Sequence, residues 1–356
     1  MQRADFCVLG AGVIGSSIAY HLALKGAAVE LMDPVGGAAP PSASWASAGG
    51  VRSQDRDPRE WPLAVEAARR WPLLAEELEA PTGFLAGGHV HLVADPSEVP
   101  ALRERVRQER AAGIDVALID ADEARRLAPG LAADIALAAY SAGDGQADPR
   151  ATTQAFQQAA IRKGCRLSRT AAGAPEQLDC GIAVVSAGAW SSRLLEPAPP
   201  LTAMALQMLL SRPVPARLRP TVTAPRLSLK QLPSGAYFVG GGWPGLQRPD
   251  GGCEVLPESV TGSWSTAAAV YPPLQEATLS ESWCGLEAFT PDGVPLIGRW
   301  PERANVYLAA GFCGHGFQLA PAVGRAVAAD LLGEEVPELK PFLPGRSQPK
   351  RSASGA

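Results

Sequence analysis

The chain opens on a short apolar run, Asp5-Phe6-Cys7-Val8-Leu9, that predicts a buried strand. Gly10-Ala11-Gly12-Val13-Ile14-Gly15 follows at once, and Val13, Ile14, Ile18 and Leu22 recur at helical spacing up to Gly26. Val29-Glu30-Leu31-Met32 predicts a second strand, closed by Asp33 eighteen residues beyond Gly15. Trp61, Leu63, Ala64, Ala67, Trp71, Leu74 and Leu78 then predict a helix over 58–78. At 83–94 the period falls to two, which predicts a strand with His89 and His91 on one solvated face. A charged surface helix is expected over 97–113. A short one is expected over 120–127, capped by Asp120 or Asp122.

Further on, the turn cluster 143–149 starts a helix over 150–163, and Cys165-Arg166-Leu167 predicts a strand. Gly181 to Ser186 predicts a buried strand ending in Ala187-Gly188-Ala189-Trp190-Ser191. Residues 196–280 carry many prolines and short strand-like runs at 205–211, 226–231, 236–240 and 260–264, with a helix near 265–276. That pattern predicts an antiparallel sheet in a second domain. Val306 to Ala310 predicts another strand. Leu319, Val323, Val327 and Leu331 predict a helix that tolerates Pro321 in its first turn. The segment after Lys340 is rich in Pro, Ser and basic residues and is expected to fray.

The opening strand–turn–helix–strand unit carries the first chemistry. Gly10 permits a tight turn, Gly12 lets backbone N–H groups approach a pyrophosphate, and Gly15 lets the helix pack on the strand. The helix N-terminus offers partial positive charge to phosphates. Asp33 would accept hydrogen bonds from a ribose and repel a 2′-phosphate, so the unit predicts FAD or NAD rather than NADP. The small-residue loop 42–52 suits close approach to a flat ligand.

Composition narrows the classes. The chain has 356 residues, 46% hydrophobic and 19% charged, with a net charge of −4. No basic run precedes the tail, which speaks against nucleic acid, and no apolar stretch is long enough for a membrane span. The six cysteines show no metal spacing, and two histidines without a third ligand do not make a metal site. A reduced, cytoplasmic protein is expected.

Together these motifs resemble the D-amino-acid-oxidase-like family of FAD-dependent oxidoreductases, which includes glycine oxidase, sarcosine oxidase and its β-subunit-type relatives, and cyanide-forming glycine oxidoreductases. The resemblance rests on Gly10–Gly15 with Asp33, on 42–52, on Ala187-Gly188-Ala189-Trp190-Ser191, on Thr290-Pro291-Asp292-Gly293 with Pro295-Leu296-Ile297-Gly298, and on Gly311 to Leu319. It implies an α/β fold: a discontinuous Rossmann-type FAD-binding domain (1–83, 143–200, 281–340), an antiparallel-sheet α+β substrate domain (84–142, 201–280) and a tail (341–356). It implies FAD, held without a covalent bond because Cys284 is one position from the family's linking cysteine. It also implies hydride transfer from the carbon beside nitrogen to flavin N5.

Cofactor contacts carried over are Gly10, Gly12, Val13, Ile14, Gly15, Asp33 and Pro34 at the ADP half. Ser42, Ser44, Ser47 and Ala48 fall along the ribityl and ring side, with Ala187, Gly188 and Trp190 flanking, and Gly314, His315, Gly316, Phe317 and Gln318 at the ring. Arg52, Glu287, His315 and Gln318 are the catalytic-site candidates. Glu287 stands where amino-acid-specific relatives carry a substrate-clamping arginine, and this polarity would repel a carboxylate and attract an amine. Gln318 replaces the lysine of sarcosine-type relatives, and the bridge between Leu167 and Gly181 is short. No lysine lies on the strand Tyr237 to Gly240, where sarcosine-oxidase relatives carry one for oxygen, which favours a dehydrogenase or slow oxidase. The expected substrate is a small amine or amino acid, and a hetero-oligomeric electron-transfer partner is possible by the same resemblance. Two rival readings are a 2-hydroxy-acid dehydrogenase with His315 as base, and a non-catalytic FAD-binding subunit.

Overall fold

The computed structural model describes residues 3–132, 134–171 and 173–346. Its strands fall into two large sheets, as an α/β fold of this type requires. In the first, six strands run in the order Leu296–Arg299, Val306–Ala310, Cys180–Val185, Ala4–Leu9, Val29–Met32, Arg166–Ser168. All neighbours are parallel except the antiparallel edge pair Leu296–Arg299 with Val306–Ala310. The central strands are covered on both faces, which is why they read as continuous apolar runs. One face buries Phe6, Val8 and Leu31 against the helices Val13–Leu24, Pro149–Arg162 and Gly316–Leu331 through Ile18, Leu22, Phe156, Val323 and Val327. The other buries Cys7, Leu9, Ala183 and Val185 with Leu195 and Trp300.

The second sheet has eight strands, in the order Leu279–Phe289, Thr202–Ser211, Tyr237–Gly240, Leu227–Gln231, Thr221–Ala224, His89–Val93, Leu137–Ser141, Ala117–Ile119. All pairs are antiparallel except Thr221–Ala224 with His89–Val93. Val90, Leu209, Val222, Leu229 and Val239 point to a core shared with Ala267, Tyr271 and Leu274. The alternate residues face the other way, toward a large cavity. The strand Leu279–Phe289, expected from residue 281 in the FAD-binding part, is the edge of this second sheet.

Several expectations need correction. Residues 58–78 form four short pieces, Pro58–Glu60, Trp61–Arg70, Trp71–Leu73 and Leu74–Glu77. Pro58, Pro62 and Pro72 each sit where a new turn begins, because proline has no N–H to continue the ladder. The run 260–264 lies inside the helix Pro257–Val270, whose buried Ser259, Ser263 and Ala267 recur every four residues. His89 and His91 are not on a solvated face: His89 is buried and both line the cavity. The helix Val99–Ala111 is not wholly surface, since Glu109 is fully buried and accepts the Asp55 N–H at 2.5 Å.

The start of the expected frayed tail is ordered instead, and residues 347–356 of that tail lie outside the described residues. Arg346 donates through Nε and Nη2 to the Asp292 carboxylate at 3.0 and 2.9 Å, and Arg59 Nη1 reaches the same carboxylate at 2.7 Å. Burial would raise the Asp292 carboxyl, but the two guanidinium groups hold it at about 2. Its stabilising contribution is therefore present above the ordinary carboxylate range and lost as pH falls through about 2. Asp292→Ala leaves two arginines facing an empty site. It should lower the unfolding free energy by about 3 kcal/mol, read as an earlier urea midpoint at pH 7. An unchanged midpoint would show that this pair of bridges contributes nothing.

Candidate active site

A cavity of about 1100 Å³ lies between the two sheets. At one end it begins on the glycine turn. Gly10 has φ +103°, and a Cβ there would come 2.6 Å from the Ser186 carbonyl oxygen. Gly12 caps the helix Val13–Leu24 without a side chain, which leaves that N-terminus open on the cavity side. The Val13 N–H donates to Ser44 Oγ at 3.0 Å and ties the loop 42–47 to the helix. Asp33 is anchored more firmly than the sequence suggests. Oδ2 accepts the Ala11 N–H at 2.9 Å, and Oδ1 accepts those of Val35 and Gly36 at 3.0 and 2.9 Å. Its carboxylate thus shapes the glycine turn while still lining the cavity.

Of the expected cofactor residues, Gly10, Gly12, Val13, Ile14, Asp33, Pro34, Ser42, Ser44, Ser47, Ala48, Ala187, Gly188, Trp190, Gly314, His315, Gly316 and Phe317 all line this one cavity. Gly188 and Gly314 both have positive φ, and a Cβ at either would meet no protein atom within 4 Å, so these turns leave room beside the backbone. Gly15 is not in the wall. Its place is structural, since a Cβ there would lie 1.9 Å from the Gly10 oxygen. Gln318 is the clear miss: it is buried and absent from the cavity wall, and its Nε2 donates to the Ala64 carbonyl at 3.1 Å. One helical turn carries its side chain away from the loop and onto the helix Trp61–Arg70.

The far end of the cavity is polar. Glu287 faces it from the edge strand, and Glu287 Oε1 accepts the Gly314 N–H at 2.6 Å. Removal from bulk water pushes the Glu287 carboxyl up to about 7, although the Gly314 N–H and the charge of Arg56 oppose the rise. His315 Nδ1 lies 2.7 Å from Glu60 Oε2. A carboxylate only accepts, so Nδ1 carries the proton and Nε2 is the acceptor. Burial lowers His315 to about 4 despite that carboxylate, with Arg56 adding to the effect. His89 Nε2 and His91 Nδ1 meet Thr223 Oγ1 at 2.7 and 3.1 Å, and burial keeps both rings neutral. Arg52 Nη1 donates to Asp55 Oδ2 at 2.7 Å and to the Asp55 carbonyl at 2.9 Å, yet the residue remains in the wall.

Arg56, Glu60, His89, His91 and Thr223 were not among the sequence candidates. The charge-dense segment 52–60 between two apolar stretches was the available signal for the first two. For the histidines only the pairing of Thr221–Ala224 with His89–Val93 reveals the neighbourhood. No cluster of three or more metal-ligating side chains occurs among the described residues. The donor set fits FAD: a glycine turn and open helix end for the diphosphate, small residues along the middle, and backbone N–H groups at the start of Gly316–Leu331.

Comparison with known proteins agrees with this geometry. The family model described as FAD dependent oxidoreductase matches residues 5–330. The chain is 29% identical to the glycine oxidase of Geobacillus kaustophilus, over 96% of each chain. Its fold matches the crystal structure of that species' glycine oxidase with a TM-score of 0.87 at 25% identity, covering 98% of this chain and 100% of that one. It matches L-proline dehydrogenase from P. horikoshii equally well, with a TM-score of 0.87 at 26% identity, covering 95% and 96%. No helix among the described residues is long and apolar enough to cross a membrane.

Proposed function

The chain belongs to the FAD-dependent oxidoreductase family, and from that premise we propose that it oxidises the C–N bond of a small amine or secondary amino acid. It is an amine or amino-acid oxidoreductase by family; the finer substrate class rests on one observation, the carboxyl of Glu287 in the cavity wall beside the loop that begins Gly316–Leu331. Bound FAD supplies the two-electron acceptor. The chain's residues do the rest. Ionised Glu287 attracts the substrate ammonium and takes up a proton from it, so that the nitrogen lone pair is free when hydride leaves the adjacent carbon. The backbone N–H groups at the start of Gly316–Leu331 offer positive potential to charge that develops on the acceptor. Walls from both sheets keep water off the reacting carbon, and the released imine hydrolyses in solvent.

Cys284 is not in the cavity wall, and Cys313, which is, donates its thiol to the Gly311 carbonyl at 3.2 Å. Both facts support FAD held without a covalent bond. Lys230 is buried 5.3 Å from the Phe238 ring centroid and does not line the cavity, which supports an electron acceptor other than dioxygen, such as a partner subunit. All six thiols are free, in keeping with a reduced cytoplasmic setting.

A second reading, oxidation of a 2-hydroxy acid, draws on the Glu60–His315 pair, which leaves Nε2 as a base. Turnover with an artificial electron acceptor separates the readings. Amines or N-alkyl amino acids should yield the dealkylated or free amine and a carbonyl compound, while 2-hydroxy acids yield no 2-oxo acid. The opposite pattern would transfer the base role to His315. Silence toward both panels would favour a non-catalytic FAD-binding subunit.

A further inference from the structure

We propose that the cavity face of the second sheet carries an uncharged polar subsite, built on His91, Ser228 and Thr221, that takes a hydroxyl-bearing substituent of the substrate. The inference deepens the reading above and rests on it for the word substrate, not for the binding itself.

The subsite follows from register. His91 lies opposite Thr223, and Thr223 lies opposite Ser228, so a row of three polar residues crosses three neighbouring strands. Adjacent strands lie about 4.8 Å apart, so the row spans about 10 Å. Thr221 stands two residues from Thr223 and therefore on the same face. Val90, Val222 and Leu229 fill the core on the opposite face, and all four polar residues line the cavity.

The protons in the row are set by what surrounds it. Thr223 Oγ1 lies 2.7 Å from His89 Nε2 and 3.1 Å from His91 Nδ1. A hydroxyl has one proton to give, so it donates to one ring and accepts from the other. Two carboxylates decide which. Asp55 Oδ2 lies 3.7 Å from His91 Nδ1. Asp144 Oδ2 lies 3.8 Å from His89 Nδ1, while Asp144 Oδ1 accepts from the Ser53 N–H and hydroxyl. Each favours a proton on the ring nitrogen beside it. His91 Nδ1–H therefore donates to Thr223, Thr223 donates to His89 Nε2, and His91 Nε2 keeps a lone pair. Burial lowers His91 to about 4, with Asp55 opposing and Arg105 and Arg52 assisting, so that lone pair persists at neutral pH.

His91 Nε2, Ser228 Oγ and Thr221 Oγ1 make no hydrogen bond among the described residues, and none of the three is sealed from the cavity. The set is one acceptor with two hydroxyls that can donate or accept. A ligand hydroxyl matches it, because it donates to His91 Nε2 and accepts from Ser228 or Thr221. A carboxylate cannot donate and meets the lone pair unfavourably. A second ammonium would face the charges of Arg52 and Arg105. A site built to pair a hydroxyl disfavours the analogue that lacks it.

The test reads binding, with probes that cannot be oxidised. The amino acids 2-aminoisobutyrate and α-methylserine differ by one hydroxyl, and neither has a hydrogen on the carbon beside nitrogen. The simple amines tert-butylamine and 2-amino-2-methylpropan-1-ol form a second such pair. FAD-loaded protein is titrated with each, following the perturbation of flavin absorbance. The hydroxylated member of at least one pair should bind about 10-fold more tightly, the worth of about 1.4 kcal/mol for a neutral hydrogen bond. His91→Leu should abolish that preference by weakening the hydroxylated member alone. His91→Gln, which keeps an acceptor, should restore part of it. Equal affinities within both pairs, no response to any probe, or a preference that survives in His91→Leu would overturn the subsite. So would a His91→Leu protein that binds both members of a pair more weakly to the same degree, which marks a merely structural role. A hydroxyl preference that depends on His91, in a protein that oxidises no amine or amino acid, would keep the subsite and discard the proposed reaction.

Discussion

Gly15→Ala should yield a protein that no longer retains flavin. The added Cβ would lie 1.9 Å from the Gly10 carbonyl oxygen, 2.5 Å from Ser186 Oγ and 3.1 Å from the Gly10 carbonyl carbon. Two of those three atoms are backbone of the very turn that receives the diphosphate, so no flexible side chain can give way. Relief requires the helix Val13–Leu24 to move off the strand Ala4–Leu9, and that helix is itself fixed from the other side. Its Ser17 Oγ donates to the Ala320 carbonyl at 2.8 Å, and Gly324 would place a Cβ 2.1 Å from Ser17 Oγ. The turn must therefore distort. We expect a loss of about 3 kcal/mol in stability, at the upper end for overpacking, and flavin content near zero by absorbance at about 450 nm, a property of the coenzyme. Gly143→Ala is the matched control: no atom lies within 4 Å of its Cβ, and flavin should be fully kept. Full retention in Gly15→Ala would mean that the glycine turn does not hold the coenzyme.

Glu287→Gln should lower kcat/KM for an amine or amino acid about 100-fold, the modest end of what a positioned proton acceptor supplies. Glutamine keeps an oxygen for the Gly314 N–H, so the ring-side loop and flavin content should be unchanged. The pH dependence makes the test specific. The productive form is the carboxylate, and burial raises this group to about 7, so kcat/KM should climb with pH through about 7 and then level off. In Glu287→Gln that limb should vanish and the profile stay flat across the same range. A variant that retains the limb would place the titrating group elsewhere, and His315 could not supply it, since its ring titrates near 4.

What was readable in the chain was whatever depends on local sequence. The period of Val13, Ile14, Ile18 and Leu22, the three glycines and the terminal Asp33 define a parallel unit without any tertiary information, because the turn, the helix start and the buried strand each have their own residue requirements. The apolar run ending at Val185 and the helix from Gly316 were legible for the same reason. Failures occurred where the answer depended on what packs opposite. Ser259 and Ser263 lie in a helix because their small side chains suit close packing under the second sheet, yet small polar residues beside Val260 also read as strand. His89 and His91 read as a solvated face because polar alternation looks the same toward water and toward an internal cavity. Gln318 follows a motif of ring contacts, but one more helical step rotates it toward Ala64. Arg56 was missed because sequence shows only which charges are near in the chain, not which of them the fold buries in the cavity wall.

The most direct measurement is anaerobic rapid mixing of the FAD-loaded protein with an N-alkyl amino acid, a simple amine and their forms deuterated at the carbon beside nitrogen. The account predicts bleaching of the flavin band by these compounds, slowed by deuteration and slowed again in Glu287→Gln. A flavin band that no amine or amino acid bleaches, while a 2-hydroxy acid does, would contradict it.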